Sequence, residues 1–422
     1  MIVRCLLPWC PHTSFLVTPR RLLLLLPPLL LLLLLLLRSP SLLCLEEDSG
    51  SLAEVCRQAS AGLALGDLCR QVCEVPPAIR ALGCRPSHAA KALVFPAVFR
   101  GDQAVVVKAR TLDIHTEAQG SVFYSDEAGV EQFPGIEEFT AMIASHLALN
   151  MNLTVEGSLL YKLWPSWTRH REDFSQEQNK LLLESGMKNV WALALDPEYV
   201  LSRLYKHYDV FPELYGSCGG LYMVEQLRPL PTTSMFKALS FPAFSDRVRI
   251  ALAMLDLLEE LDTMFTSPLH LCDVKAEHFG ISDNGRVKFL DLDSVQLRHL
   301  ADRTVGDSAD CSRHADCDFF DCRGRCDATT RRCTGGVLNN NLQVVCEKVL
   351  LGGEAWGRGL LDSRHASPEL RRVLGECAKS GGGEEADRAA AGEKVQARLR
   401  AALQEIADMA TRLEKDTVQK DV

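Results

Sequence analysis

The 422-residue sequence has no excess of positive charge. Its formal net charge is −9, so no basic field points to a nucleic-acid partner. It has no paired C-x-x-C knuckles, which removes the strongest zinc signature. Zinc still competes with disulfides as a reading of Cys317, Cys322, Cys326 and Cys333. No A-x-A-like cleavage site follows the leucine-rich segment near the N-terminus. One glycosylation acceptor triplet occurs, at Asn152-Leu153-Thr154, and its use would require lumenal exposure.

What is abundant is cysteine. There are sixteen, with five between Cys311 and Cys333. A cytosolic protein seldom carries so many, so an oxidising compartment is expected, with the Cys311–Cys333 cluster in disulfides of unspecified pairing. Residues Leu22–Leu37 are apolar throughout, interrupted by Pro27 and Pro28. As a helix the run spans about 24 Å, short of an average bilayer core, and Leu42–Leu45 extend it. Arg4, Arg20 and Arg21 precede it and only Arg38 follows closely. That bias predicts a cytosolic segment over 1–21, a signal-anchor over 22–45 and a lumenal remainder. A short span suits the thinner endoplasmic reticulum membrane. A cleaved signal peptide is the alternative.

The densest chemistry lies in Pro268–Val295. Asp273, Lys275 and His278 stand at the spacing of a kinase catalytic loop: a base, a lysine two positions on and a metal ligand five positions on. The turn Ser282-Asp283-Asn284-Gly285 follows, and its Asn-Gly pair suits a two-residue hairpin. The strand Val287–Leu290 then delivers Asp291, where kinases carry a metal-binding Asp. Phosphoryl transfer needs one carboxylate to orient the attacking hydroxyl and another to hold the metal on the phosphates.

Upstream, Ala92–Phe99 and Ala104–Val107 read as strands joined by a turn, with Lys108 as the phosphate-pairing lysine. The turn contains Arg100-Gly101-Asp102, which hairpins use without any adhesive role. Asp196–His207 reads as a helix with Pro197 in its first turn, and it offers Glu198 as partner to Lys108. Glu138, on the helix Ile136–Leu149, is the alternative. Two strands follow, the second ending at Glu225 on the cofactor edge. Between Lys108 and Glu198 something is inserted. Asp173, Ser175, Glu177 and Glu184 fall at calcium-loop positions, but Gln178 replaces the required glycine. A charged helix is the stronger reading, and calcium the weaker. Glu393–Leu413 has the spacing of an amphipathic helix that packs on the rest of the chain.

The expected fold is α+β. It is a two-lobed, protein-kinase-like fold with an N-terminal membrane anchor, an insert in the N-lobe and a cysteine-rich insert after the D-F-G-like motif. Residues 46–91 form a cysteine-containing stem, 92–227 the N-lobe, and 228–422 the C-lobe with its insert at 311–346.

Nearly the whole chain resembles the divergent protein kinase domain 1 family, cysteine-rich single-pass proteins of the endoplasmic reticulum. The resemblance rests on the N-terminal anchor, Ile136-Glu-Glu-Phe, Val190-Trp-Ala-Leu, Tyr215-Gly-Ser-Cys-Gly-Gly-Leu-Tyr, Asp273-Val-Lys-Ala-Glu-His-Phe-Gly and Phe289-Leu-Asp-Leu-Asp. It implies a lumenal kinase-like domain whose activity and substrate the resemblance does not define; the kinase-like motifs themselves predict ATP with Mg²⁺ or Mn²⁺, and lumenal or secretory-pathway proteins as substrates. Several departures weigh against efficient transfer. No G-x-G-x-x-G precedes the Lys108 strand, and no A-P-E follows Asp291. His278 replaces an asparagine ligand, and Leu271-Cys272 replaces the His-Arg that usually precedes the base. Asp293 replaces the glycine of D-F-G, to join a metal site or to face solvent. A catalytically inactive, disulfide-stabilised binding or scaffolding module is therefore the second reading.

Overall fold

The computed structural model describes residues 52–74, 79–81, 91–112, 122–125, 127–154, 159–163, 176–231, 242–265, 267–306, 310–353, 357–379 and 385–420. The expected anchor at 22–45, and Asp173 and Ser175 of the calcium count, lie outside them. No helix among the described residues is long and apolar enough to cross a membrane.

Alternation along the strands builds the first lobe. Successive strand side chains point to opposite faces. Gln103–Ala109 buries Val105, Val107 and Ala109 on one face and turns Val106 and Lys108 to the other. It is the middle strand of a five-stranded antiparallel sheet. The order is Ile79–Ala81, Leu93–Phe99, Gln103–Ala109, Leu221–Glu225, Leu214–Cys218. The segment read as a stem covers the outer face of this sheet. Val55, Ala64, Leu68 and Val72 share one apolar cluster with Phe95, Val105, Val107 and Met223. Cys69 and Cys73 sit on one short helix but have different partners: Cys73 joins Cys56, and Cys69 joins Cys218 of the sheet. The cover lies close. The Ser217 N–H donates to Asp67 Oδ1 at 2.8 Å, and a Cβ at Gly216 would come within 2.4 Å of that same oxygen.

The other face receives helix Pro197–Leu204. Asp196 caps it, accepting from the Glu198 and Tyr199 amides at 3.0 and 3.3 Å. Proline is tolerated at its first turn because that N–H would lack a helical partner in any case. The inserted stretch contributes helices Ile136–Met151 and Gln176–Ala194, which pack Phe139, Ile143 and Leu147 with Val190 and Leu193. Glu177 and Glu184 are therefore carried on a helix that starts before the fifth position of the calcium count. A helix holds such carboxylates apart, whereas a calcium loop curls its oxygens around one ion. Glu184 instead faces Lys180 at 3.8 Å.

Helix Phe244–Thr263 anchors the second lobe, burying Val248, Ala251, Leu255, Leu258 and Leu261 along one stripe. The hairpin Phe279–Ile281 to Val287–Phe289 closes differently from expectation. Ser282 N–H pairs with the Arg286 carbonyl, the Gly285 N–H returns to Ser282, and only Gly285 has positive φ, at 84°. The loop thus has three residues with glycine in the left-handed position, because Asn284 keeps a right-handed backbone. The C-terminal helix runs longer than its apolar spacing suggested, Glu385–Lys420. It buries Leu399, Leu403 and Ala407 in the main core, and Arg400 reaches Glu259 at 3.0 Å.

The cysteine-rich insert is cross-linked throughout. Cys311 joins Cys326, Cys317 joins Cys333, and Cys272 joins Cys322. The sulfurs of the zinc reading are thus spent in disulfides; Cys311, Cys317 and Cys326 lie close together but without thiolate character. Further on, Cys346 joins Cys377.

Truncating the fully buried Leu403 to alanine tests whether the last helix belongs to the fold. Leu403→Ala should cost about 2–5 kcal/mol by loss of transfer energy and cavity formation. Urea unfolding followed by tryptophan fluorescence should show the midpoint fall by that amount. An unchanged midpoint would assign the helix to a partner instead.

Candidate active site

The sheet and the second lobe face each other across a cleft lined by Lys91, Lys108, Glu198, His278, Asp291 and Asp293, with Val94, Val106, Val224 and Leu290 as its apolar part. Strand register explains the first of these. Lys108 pairs with Val94 on one side and Tyr222 on the other, so its side chain leaves the sheet on the inner face. There it forms a short ion pair with Glu198. Glu138 is exposed on helix Ile136–Met151 and is not the partner. Burial pushes the Glu198 carboxyl up, while Lys108 and Lys91 pull it back.

Lys91 was not singled out from the sequence. It stands in the segment between the first two strands, and its side chain is 5 % exposed. Its Nζ lies 2.7 Å from Asp196 Oδ1, 3.1 Å from Asp293 Oδ1 and 3.6 Å from Glu198 Oε2. Burial works against this ammonium. Asp196, Glu198 and Asp293 overcome that and hold its pKa above the ordinary lysine value. The Tyr222 hydroxyl donates to Asp196 Oδ2 at 3.1 Å and closes the network. Asp293 does not simply face water: it is paired to a lysine of the first lobe. The only sequence signal for Lys91 was a charge inside an apolar run, Ala89-Ala-Lys-Ala-Leu-Val.

On the other wall, Asp273, His278 and Asp291 each present a ligand atom within 4.8 Å of the other two. His278 Nδ1 lies 2.9 Å from the Asp273 carbonyl oxygen. A carbonyl only accepts, so Nδ1 carries a hydrogen, and in the neutral ring Nε2 keeps its lone pair. That lone pair faces Asp291 Oδ2 at 3.2 Å. Two acceptors so placed fit a cation between them, and a histidine that donates its other nitrogen to a carbonyl is oriented as metal ligands are. Lys275 contacts Asp273 Oδ2 at 2.8 Å, and this hydrogen bond is the main reason its pKa is raised. Glu225 reaches the cleft edge, but its carboxylate is held by the buried Lys288 at 2.8 Å. Asn152 lies away from the cleft, as the half-buried, left-handed end of helix Ile136–Met151, with Thr154 exposed.

The loop around Asp273 is gripped by the cysteine-rich insert. Besides the Cys272–Cys322 disulfide, Asp321 N–H donates to the Cys272 carbonyl at 2.7 Å. Its carboxylate accepts from the Val274 N–H at 2.7 Å and from Lys348 at 2.6 Å. These contacts bracket Asp273 on both sides. The sequence showed cysteines here but not which would reach the loop.

The Cys272→Ala/Cys322→Ala double variant should loosen residues 270–278 and lower stability by about 2–4 kcal/mol. Hydrogen–deuterium exchange should rise in peptides covering Asp273. Exchange confined to the insert itself would show that the disulfide does not order the loop.

Two family models match the sequence. Residues 190–380 match the protein-kinase domain of FAM69, and residues 22–164 match the N-terminal cysteine-rich endoplasmic-reticulum region of FAM69. The two matches take in the sheet, the Lys108–Glu198 pair, the Asp273–His278–Asp291 group and the insert that grips them. The chain belongs to the FAM69 family of kinase-like, endoplasmic-reticulum-associated proteins.

Proposed function

We propose that this chain binds ATP with Mg²⁺ or Mn²⁺ in the cleft and transfers phosphate to secretory-pathway proteins on the lumenal side of the endoplasmic reticulum membrane. The observation that carries this reading is the convergence of Asp273, His278 and Asp291 within 4.8 Å, opposite a formed Lys108–Glu198 pair. The metal, when bound, neutralises charge on the transferring phosphate. The protein's own residues do the rest. Lys108, steadied by Glu198, contacts the phosphates. Val94, Val106, Val224 and Leu290 take the purine. His278 Nε2 and Asp291 hold the metal, and imidazole admits Mn²⁺ at least as well as Mg²⁺. The Asp273 carboxylate accepts the proton of the acceptor hydroxyl, and Lys275, which donates to its Oδ2 at 2.8 Å, holds that carboxylate in place. The arginine bias before the leucine-rich segment supports a type II topology, which leaves Asn152 available for glycosylation.

Thermal stabilisation by ATP separates binding from chemistry. A ligand at a hundred times its Kd stabilises the fold by about 2.7 kcal/mol. Asp291→Asn should abolish the metal-dependent part of that shift. Asp273→Asn should keep it and lose any phosphate transfer, because a base acts on the acceptor and not on the nucleotide. No stabilisation of the wild type with either metal would leave the scaffold reading standing.

Topology is checked in intact microsomes. A C-terminal tag should resist protease until detergent is added. Digestion without detergent would place the domain in the cytosol.

A further inference from the structure

We propose that Lys91 is a second phosphate-holding cation of the cleft, standing in for the glycine-rich backbone cradle that this sequence lacks, with the triphosphate of a nucleotide as its ligand. The inference rests on the nucleotide reading above and adds a residue to it.

Three observations carry it. The first is position. Lys91 comes from the segment joining the first two strands of the sheet, just before the strand that places Val94 in the cleft. No G-x-G-x-x-G lies there, so the sequence supplies no glycine-rich cradle for phosphates. The second is convergence. Lys91 and Lys108 contact the two oxygens of one carboxylate, Glu198, and both line the cleft that Asp291 faces. Two ammoniums thus meet where phosphates would enter.

The third is the state of the partners. Asp196 is compensated without Lys91, since two helix amides and the Tyr222 hydroxyl already donate to it. Asp293 is different. Its side chain is 29 % exposed, the most accessible of the three carboxylates around Lys91. A phosphate oxygen can replace it on the ammonium while water takes up the released carboxylate. A buried ion cluster is weak evidence for a stability role, and perturbed charges in a cleft mark functional sites.

Calorimetric titration of ATP and of adenosine, each with Mn²⁺, tests the assignment. Lys91→Met should weaken ATP roughly tenfold to hundredfold, the worth of one charge-assisted contact. Adenosine, which has no phosphate, should bind Lys91→Met as it binds the wild type. Asp293→Asn should bind ATP as tightly as the wild type or more tightly, because less of the Lys91 charge is neutralised. If Lys91 only ties Asp293 to the first lobe, Asp293→Asn will lose ATP as Lys91→Met does, and the assignment falls. Should Lys91→Met fail to give a cooperative melt, Asp293→Asn decides alone by the same criterion. Equal ATP affinity in wild type and Lys91→Met overturns this inference but not the nucleotide reading. Absence of ATP binding in the wild type overturns both.

Discussion

The structure turns on five charged side chains brought together at the start of one short helix. Lys108 comes from the sheet and Lys91 from the segment joining its first two strands, Asp196 and Glu198 from the helix N-terminus, and Asp293 from the far side of the cleft. Such burial is expensive, since each ion leaves water. It holds only if every partner is delivered to within hydrogen-bonding distance. The sheet register does this for Lys108, whose alternate neighbours Val105, Val107 and Ala109 are committed to the outer core. The helix cap does it for Asp196 and so fixes Glu198 two residues on. The cysteine-bonded cover over residues 52–74 matters for the same reason. By occupying the outer face of the sheet, it leaves the inner face as the only side to which the lysine can turn.

A second constraint acts on the opposite wall. In an ordinary kinase an arginine before the catalytic base receives a phosphate from the activation segment. Here Cys272 stands at that place and is bonded to Cys322 of the segment that follows Asp291. Both arrangements tie the loop that holds Asp273 to the segment that follows Asp291. They differ in when the tie is imposed. A phosphate–arginine pair is made and unmade after folding, whereas a buried disulfide is set when the chain oxidises. Asp321 extends the grip through the Val274 amide and Lys348. Membership of an endoplasmic-reticulum family and the loop architecture are thus two sides of one fact, because this loop needs an oxidising compartment to form.

How much of this was legible depended on the range of each interaction. Spacing along the chain reveals local devices. Asp196-Pro197 announced a helix start, alternation placed Lys108 on a strand, and Asp273, His278 and Asp291 stood at intervals that phosphotransfer explains. Glu198 prevailed over Glu138 only in three dimensions, since both sit in the first turn of a helix and burial alone distinguishes them. Cysteine pairing was hidden for the same reason: Cys69 and Cys73 share a helix, yet one bonds back along the stem and the other across to the sheet. Lys91 was hidden more deeply. A lysine in an apolar run is read as an interruption until three carboxylates from elsewhere close on it. For the acidic residues of the calcium count, the helix that was the stronger reading carries Glu177 and Glu184.

The departures from an ordinary kinase are not independent losses. Removing a glycine cradle removes neutral amides that can approach phosphate at no electrostatic cost. A lysine in the same place brings full charge, and a buried charge requires a counter-charge. Asp293, where D-F-G would have glycine, supplies it at 3.1 Å. A glycine there would leave Lys91 with carboxylates from its own lobe alone, and the two walls of the cleft without this tie. The histidine in place of asparagine follows a similar logic on the opposite wall. Its ring is oriented by the carbonyl of Asp273, so the positions of His278 and Asp273 are set by one segment. That segment is the one the cysteine-rich insert holds. The altered positions Asp293, His278 and Cys272 thus flank the kinase-like Asp291 and Asp273, and Asp293 carries the connection on to Lys91 of the first lobe.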